Sequence, residues 1–108
     1  MAYIWDMREA AKEISEFTAG INFDKFSANK VLYRAVERQL EIVGEAARHV
    51  SGEYQQKYPD IPWRQIIGMR NILAHEYGED LIERVYGVVA ERVPVLLKQL
   101  NAILDETA

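Results

Sequence analysis

Apolar residues recur at helical spacing along almost the whole chain, and no segment shows the sustained alternation of a half-buried strand. The longest periodic segment, from about Ala28 to Val50, contains no proline and carries apolar residues on more than one face. A helix of this kind packs inside a bundle and against a partner. The pattern therefore predicts an all-α fold, an antiparallel bundle of four main helices plus a short helix.

Glycines and prolines divide the rest of the chain into further helices. We expect helices over 2–18 and 52–57, with a linker over 21–26 between the first helix and the long one. Ser27 is a suitable N-cap for the long helix, because its hydroxyl can accept a hydrogen bond from a free backbone N–H.

The segment 62–77 is expected to form a separate helix. Pro62 suits its first turn, where the missing N–H costs nothing. Gly78 is a natural residue to close this helix, because many helices end in a left-handed residue. A last helix is expected over 80–104, and Pro94 within it predicts a kink about one turn earlier.

Gly44 lies in the middle of the long helix, where glycine is about 1 kcal/mol less favourable than alanine. A glycine in that place indicates that another helix approaches its backbone closely. Gly68 and Gly87 indicate the same for their own helices.

The composition is typical of one globular domain spanning residues 1–108, with 49% hydrophobic and 28% charged residues. The chain contains no cysteine, which excludes disulfides and thiolate chemistry. No signal-peptide pattern occurs at the N-terminus, and no apolar run reaches the roughly eighteen residues of a membrane span. We therefore expect a cytoplasmic protein without a membrane partner.

The net charge of −4 argues against a general nucleic-acid binder, whose surface is basic. The middle of the chain differs, because residues 28–70 carry seven basic and five acidic side chains. Any positive surface must therefore come from this part of the chain. Its arginines are the candidates: Arg34, Arg38, Arg48, Arg64 and Arg70.

Three polar residues interrupt the apolar pattern near the end of the segment 62–77, namely Arg70, His75 and Tyr77. An arginine can hold two phosphate oxygens and never loses its charge. A histidine titrates near neutrality, so it can take or give a proton. A phosphodiester can then be cleaved without a metal if the nucleophile is a neighbouring 2′-hydroxyl, which only RNA has.

The spacing of these residues on a helix adds a constraint. At about 100° per residue, Arg70 and Tyr77 share a face while His75 lies about 140° from Arg70. Either the last turn unwinds, or a second copy of the chain supplies the missing partner. Taken alone, this spacing is also typical of a structural pair, an ion-pairing arginine and a capping histidine.

The surrounding residues carry a closer likeness. The segment 62–77, Pro-Trp-Arg-Gln-Ile-Ile-Gly-Met-Arg-Asn-Ile-Leu-Ala-His-Glu-Tyr, closely resembles the signature of the HepT-like branch of the HEPN superfamily. That signature is an Arg, four residues, a His, one residue and a Tyr, with a polar residue after the Arg. Residues 40–47, Leu-Glu-Ile-Val-Gly-Glu-Ala-Ala, resemble the second helix of that family. The resemblance covers nearly the whole chain, and no motif position departs from it.

The resemblance implies a HEPN-like, homodimeric toxin ribonuclease that needs neither a metal nor a cofactor, with Arg70 and His75 as its catalytic residues. Asn71, the polar residue after the arginine, and Glu45, in the second-helix stretch, are expected to support the site. The partner implied is a minimal nucleotidyltransferase antitoxin of a type VII-like system. It would neutralise the toxin by transferring AMP from ATP to the hydroxyl of Tyr77.

In the mechanism we expect, His75 takes the proton of a ribose 2′-OH and that oxygen attacks the adjacent phosphorus. Arg70 stabilises the charge that builds on the phosphoryl oxygens, and the products are a 2′,3′-cyclic phosphate and a 5′-OH end. Two other functions fit the same residues. One is a non-catalytic dimeric partner of a nucleotidyltransferase, and the other is a plain helical interaction module.

Glu41, Glu45 and His49 repeat every four residues along one helix face, so we also consider a metal site. Metal sites in helical bundles use Glu-x-x-His spacing on several helices, and zinc proteases use His-Glu-x-x-His. Neither spacing occurs in this chain. A solvated face is the better account of Glu41 and His49.

Overall fold

In a computed structural model, residues 1–107 are the part of the chain that is described, and they contain α-helices, one π-helical segment and no strand. The elements are α1 (Ala2–Phe17), α2 (Phe23–Ala28), α3 (Lys30–His49), α4 (Gly52–Lys57), α5 (Trp63–His75), α6 (Gly78–Gly87), the π-helical segment (Val88–Arg92) and α7 (Val93–Thr107). The prediction of an all-α fold is confirmed. Within 1–107, no helix is long and apolar enough to cross a membrane.

Four long helical units build the bundle: α1, α3, α5, and the continuous unit of α6, the π-helical segment and α7. The helix α1 packs against both α3 and α7, whereas α5 packs mainly against α3. The core lies where α1, α3 and α7 meet, and its largest fully buried side chains are Ile4, Met7, Ile14, Phe26, Val36, Val85 and Leu100. The helix α5, which carries Arg70 and His75, is therefore supported chiefly by one neighbour, α3.

The expected linker before the long helix is itself a short helix, so that prediction was wrong. The side chain of Asn22 accepts a hydrogen bond from the Lys25 N–H at 2.9 Å and caps α2, which places Phe26 fully in the core. Ser27 lies inside α2 and does not cap α3. Asn29 does so, because its side chain accepts from the Leu32 N–H at 3.0 Å.

The end of α5 also differs from expectation. The helix stops at His75, and the backbone is then extended at Glu76 and Tyr77. Gly78 does adopt a left-handed conformation, with φ of +74°, but it starts α6 and does not close α5. Because the helix ends two residues before Tyr77, the prediction that Tyr77 shares a helical face with Arg70 was wrong.

The last helical unit is irregular about one turn before Pro94, where the sequence predicted a kink. Pro94 has no N–H to donate to the preceding turn. The backbone widens to a π-helical segment over Val88–Arg92, where the Val93 N–H donates to the Val88 carbonyl five residues earlier. Such a segment absorbs the break in the hydrogen-bond ladder without ending the helix.

The close approach predicted at Gly44 is confirmed. A Cβ atom at Gly44 would lie 3.1 Å from the backbone oxygen of Ile66, so α5 lies almost on the backbone of α3. At Gly68 and Gly87 no other helix of this chain makes such an approach, because within residues 1–107 no atom outside the glycine's own stretch of helix lies within 4 Å of a Cβ built there.

We expect Gly44→Val to destabilise the protein by about 1–3 kcal/mol, because the branched side chain must push α5 away from α3. Gly87→Ala serves as the matched control and should stabilise by up to about 1 kcal/mol, since alanine favours the helix and the space is open. Urea unfolding followed by circular dichroism measures both values. A Gly44→Val protein as stable as the wild type would contradict this packing.

Candidate active site

A groove of about 660 Å³ runs between α3 and α5. Its charged walls come from both helices and its apolar part comes from α5. The lining residues are Arg34, Glu37, Glu41, Arg48, Ile67, Arg70, Asn71, Leu73 and Ala74. Three of the five arginines predicted to form a positive surface therefore meet here. Two acidic side chains accompany them, and the groove is mixed in charge.

Arg70 reaches α3 beside Gly44, where α5 lies close to the backbone of α3. Its Cγ lies 3.7 Å from the position of a Cβ at Gly44, an ordinary van der Waals distance, so the arginine stem packs beside this glycine. The Arg70 Nη1 donates to Glu45 Oε2 at 2.8 Å, and about half of the Arg70 side chain stays exposed. The structure thus brings together two of the predicted site residues that are 25 positions apart in the chain.

Glu45 is the centre of a cluster of cations on α3 and α5. Its Oε1 accepts from Arg48 Nη2 at 2.9 Å and from His49 Nε2 at 3.0 Å, while its Oε2 accepts from Arg70. The hydrogen bond from Arg48, followed by that from His49, lowers the pKa of Glu45 to about 2, and the charge of Arg70 adds to this. The carboxylate therefore stays ionised near neutral pH and holds the guanidinium of Arg70 in place.

His75 is the last residue of α5 and is exposed to solvent. Its Nδ1 lies 2.9 Å from the backbone oxygen of Asn71. A carbonyl oxygen only accepts hydrogen bonds, so Nδ1 carries the proton of this contact. In the neutral ring Nε2 then keeps its lone pair, which is the form that can take a proton from a substrate.

Asn71, which was expected to support the site, contacts His75 through its main-chain oxygen. The residue also lines the groove, as Arg70 does. Any role of the amide is therefore toward a group bound in the groove, and the carbonyl alone orients the imidazole.

One chain does not bring Arg70 and His75 together in the groove. Arg70 lines it and His75 does not. Both residues lie in the regular helix α5, so their side chains diverge by about 140°. The sequence left two explanations, that the last turn of the helix unwinds or that a second copy of the chain supplies the missing partner. The first does not apply to His75, because α5 is intact to that residue.

Tyr77 lies apart from the groove, in the extended segment that joins α5 to α6. Its side chain is 82% exposed, the highest fraction among the exposed large hydrophobic residues. Glu76 Oε1 lies 3.4 Å from Arg84 Nε, a contact that ties this segment to α6. The phenol of Tyr77 is therefore accessible from solvent.

Within residues 1–107 no cluster of three or more histidine, aspartate or glutamate side chains is placed to hold a metal ion. Glu41, one of the residues considered for such a site, pairs with Arg38 at 3.5 Å. The carboxylate of Glu45 and the ring of His49 bind each other as described above.

One neighbour of this cluster was not predicted from the sequence. The ring of Tyr3, from the first turn of α1, stacks on the imidazole of His49 with centroids 5.1 Å apart and planes 22° apart. These residues lie near opposite ends of two different helices, so no spacing rule links them. Only the packing of α1 on α3 reveals the contact.

The chain is similar to known proteins over almost its full length. The sequence profile of the family described as Ribonuclease HepT-like matches residues 7–103. "Putative RNase MJ1380" of Methanocaldococcus jannaschii is 39% identical over 103 residues, which cover 94% of each chain. "Probable ribonuclease HepT" of Thermococcus cleftensis is 37% identical over 94 residues, covering 87% of this chain and 86% of its own.

A further relative, "Putative RNase TTE0752" of Caldanaerobacter subterraneus, is 34% identical over 104 residues, covering 96% of this chain and 93% of its own. No solved structure matches the chain significantly. The matched residues include all of α3 and α5, the two helices that form the groove. On this evidence the chain belongs to the HepT-like ribonuclease family.

Proposed function

We propose that this protein is a metal-independent endoribonuclease that uses Arg70 and His75. The proposal rests on how these two side chains are placed and on which of their atoms are free to act. Arg70 is held at a groove by Glu45, and His75 is exposed with its Nε2 available as a base. Membership of a ribonuclease family supports the same reaction class.

The reaction needs one proton transfer and stabilisation of one developing charge. His75 Nε2 takes the proton of a ribose 2′-OH, the O2′–P bond forms, and the P–O5′ bond breaks. The 5′-oxygen leaves as a hydroxyl after taking up a proton from solvent, and a 2′,3′-cyclic phosphate remains. Arg70 stabilises the phosphoryl oxygens, while a well-placed histidine base contributes about 10²–10⁴-fold in rate.

Arg70→Ala and His75→Ala should each abolish RNA cleavage, because one removes the phosphate donors and the other removes the base. Both side chains are exposed, so melting temperatures should change little. Arg64→Ala, an exposed arginine earlier on the same helix, is the matched control and should keep its activity. Cleavage is measured with purified protein and labelled RNA in the presence of a chelator.

Cleavage that survives His75→Ala would exclude the histidine as the base. Loss of activity on chelation would exclude a metal-independent reaction. A wild-type protein that does not cleave RNA, yet binds a nucleotidyltransferase as a dimer, would identify it as the non-catalytic partner considered from the sequence.

The complete site is proposed to form in a homodimer. The divergence of Arg70 and His75 on one intact helix supports this, because a two-fold axis can bring the arginine of one copy near the histidine of the other. Glu45 and Asn71 support the site from the groove of each copy, the former by holding Arg70 and the latter beside it.

Mixing two inactive variants tests this arrangement. A heterodimer of Arg70→Ala and His75→Ala chains contains one site with both residues intact if each site takes its arginine and histidine from different copies. Coexpression should therefore restore cleavage, and each heterodimer should reach up to half of the rate of a wild-type dimer. Each variant alone stays inactive. Light scattering verifies the dimer, and a stable, fully active monomer would contradict the proposal.

Tyr77 is proposed as the point of control in a type VII-like toxin–antitoxin system. A partner nucleotidyltransferase would join the Tyr77 oxygen to the α-phosphorus of ATP, releasing pyrophosphate and the phenolic proton. The high exposure of the side chain supports such access. Each added AMP brings negative charge and bulk to the end of α5, which repels the RNA backbone.

Tyr77→Phe should remain an active ribonuclease, show no mass increase with the partner and ATP, and escape neutralisation. The matched control is Tyr58→Phe, which removes a hydroxyl that donates to Glu106 at 3.1 Å in the wild type. This variant should still be modified. Intact-mass spectrometry and the cleavage assay measure both effects. If Tyr77→Phe is still modified and silenced, the control point lies at another residue.

A further inference from the structure

The stacked pair of Tyr3 and His49 lies next to the charged cluster of the groove. His49 Nε2 donates to the same Glu45 carboxylate that holds Arg70, and Arg48 donates to that carboxylate as well. The aromatic pair is therefore joined to Arg70 by two consecutive polar contacts, through Glu45.

Tyr3 is not needed for the core of the bundle. The buried residues of α1 are Ile4, Met7, Ala10, Ala11 and Ile14, and the tyrosine lies outside this set with 44% of its surface exposed. Exposure alone says little, because Trp5 on the same helix is 50% exposed. Tyr3 differs from Trp5 in having one ring face fixed against the imidazole of His49.

We propose that Tyr3 and His49 form a stacking platform for one unpaired base of an RNA strand. This inference rests on the proposed ribonuclease function and specifies its substrate as single-stranded RNA. Single strands are bound where cations that contact the backbone stand beside aromatic rings on which bases stack. Here the cations are Arg48 and Arg70, which line the groove, and the platform is the ring pair, which is joined to them through Glu45. A paired base inside a duplex cannot present its face to the ring.

The test measures binding of the dimeric wild-type protein and its variants to a short single-stranded RNA with 2′-O-methyl riboses, which cannot be cleaved. Tyr3→Ala should weaken binding by about 5- to 100-fold, the range found when a stacking aromatic is removed. Tyr3→Phe keeps the ring and should bind as the wild type does. Trp5→Ala is the control for a lost exposed aromatic on α1 and should also bind normally.

A substrate-side change makes the test specific. The RNAs for this test each lack the base of a single nucleotide, and the abasic position differs from one RNA to the next. At one position, the missing base should weaken binding to the wild type by the same factor as Tyr3→Ala does. At that position Tyr3→Ala should lose no further affinity, because the two changes remove one contact. Duplex RNA should bind equally to the wild type and to Tyr3→Ala.

Each outcome bears on one of the two proposals. If the wild type cleaves RNA while Tyr3→Ala binds it normally, the platform is wrong and the ribonuclease proposal stands. If binding depends on Tyr3 but no cleavage occurs, the platform stands and the ribonuclease proposal fails. If Tyr3→Ala is monomeric by light scattering, the residue belongs to a protein interface and the platform is overturned.

Discussion

The close contact between α3 and α5 at Gly44 is the constraint on which the rest of the site depends. A Cβ atom at Gly44 would lie 3.1 Å from the Ile66 carbonyl oxygen, which is a tight contact, so glycine lets the two helices pack this closely without a shift of that carbonyl. Because α5 packs mainly on α3, this contact helps to set the position of α5 in the bundle. Next to it, Arg70 reaches across to Glu45.

The cluster around Glu45 then determines how Arg70 is presented. Two arginines and a histidine share one carboxylate at the surface, and such exposed pairs contribute little to stability. We therefore interpret the cluster as one that positions the guanidinium and does not hold the fold together. It also couples Arg70 to Arg48 and His49, so a change at any member alters the surface that a phosphate would meet.

The end of α5 separates the two kinds of chemistry proposed for this protein. His75 stays in the helix, where the Asn71 carbonyl orients its ring. Two residues later the chain is extended, and Tyr77 projects into solvent before Gly78 turns the backbone into α6. The phenol of Tyr77 is therefore accessible from solvent without any opening of the groove.

Local patterns in the sequence determined the helical class, the approximate extent of the helices, the close approach at Gly44 and the residues of the motif. Periodicity, proline and glycine act over one or two turns, which is why these features could be predicted. The capping by Asn22 and Asn29 was missed because several polar residues in that stretch could cap a helix. Only the tertiary structure decided that Glu45 binds Arg70, that Tyr3 stacks on His49, and that Tyr77 leaves the helix. The first two contacts join different helices and depend on how those helices pack, and the third depends on where the backbone hydrogen bonds of α5 end, which the spacing of residues does not specify.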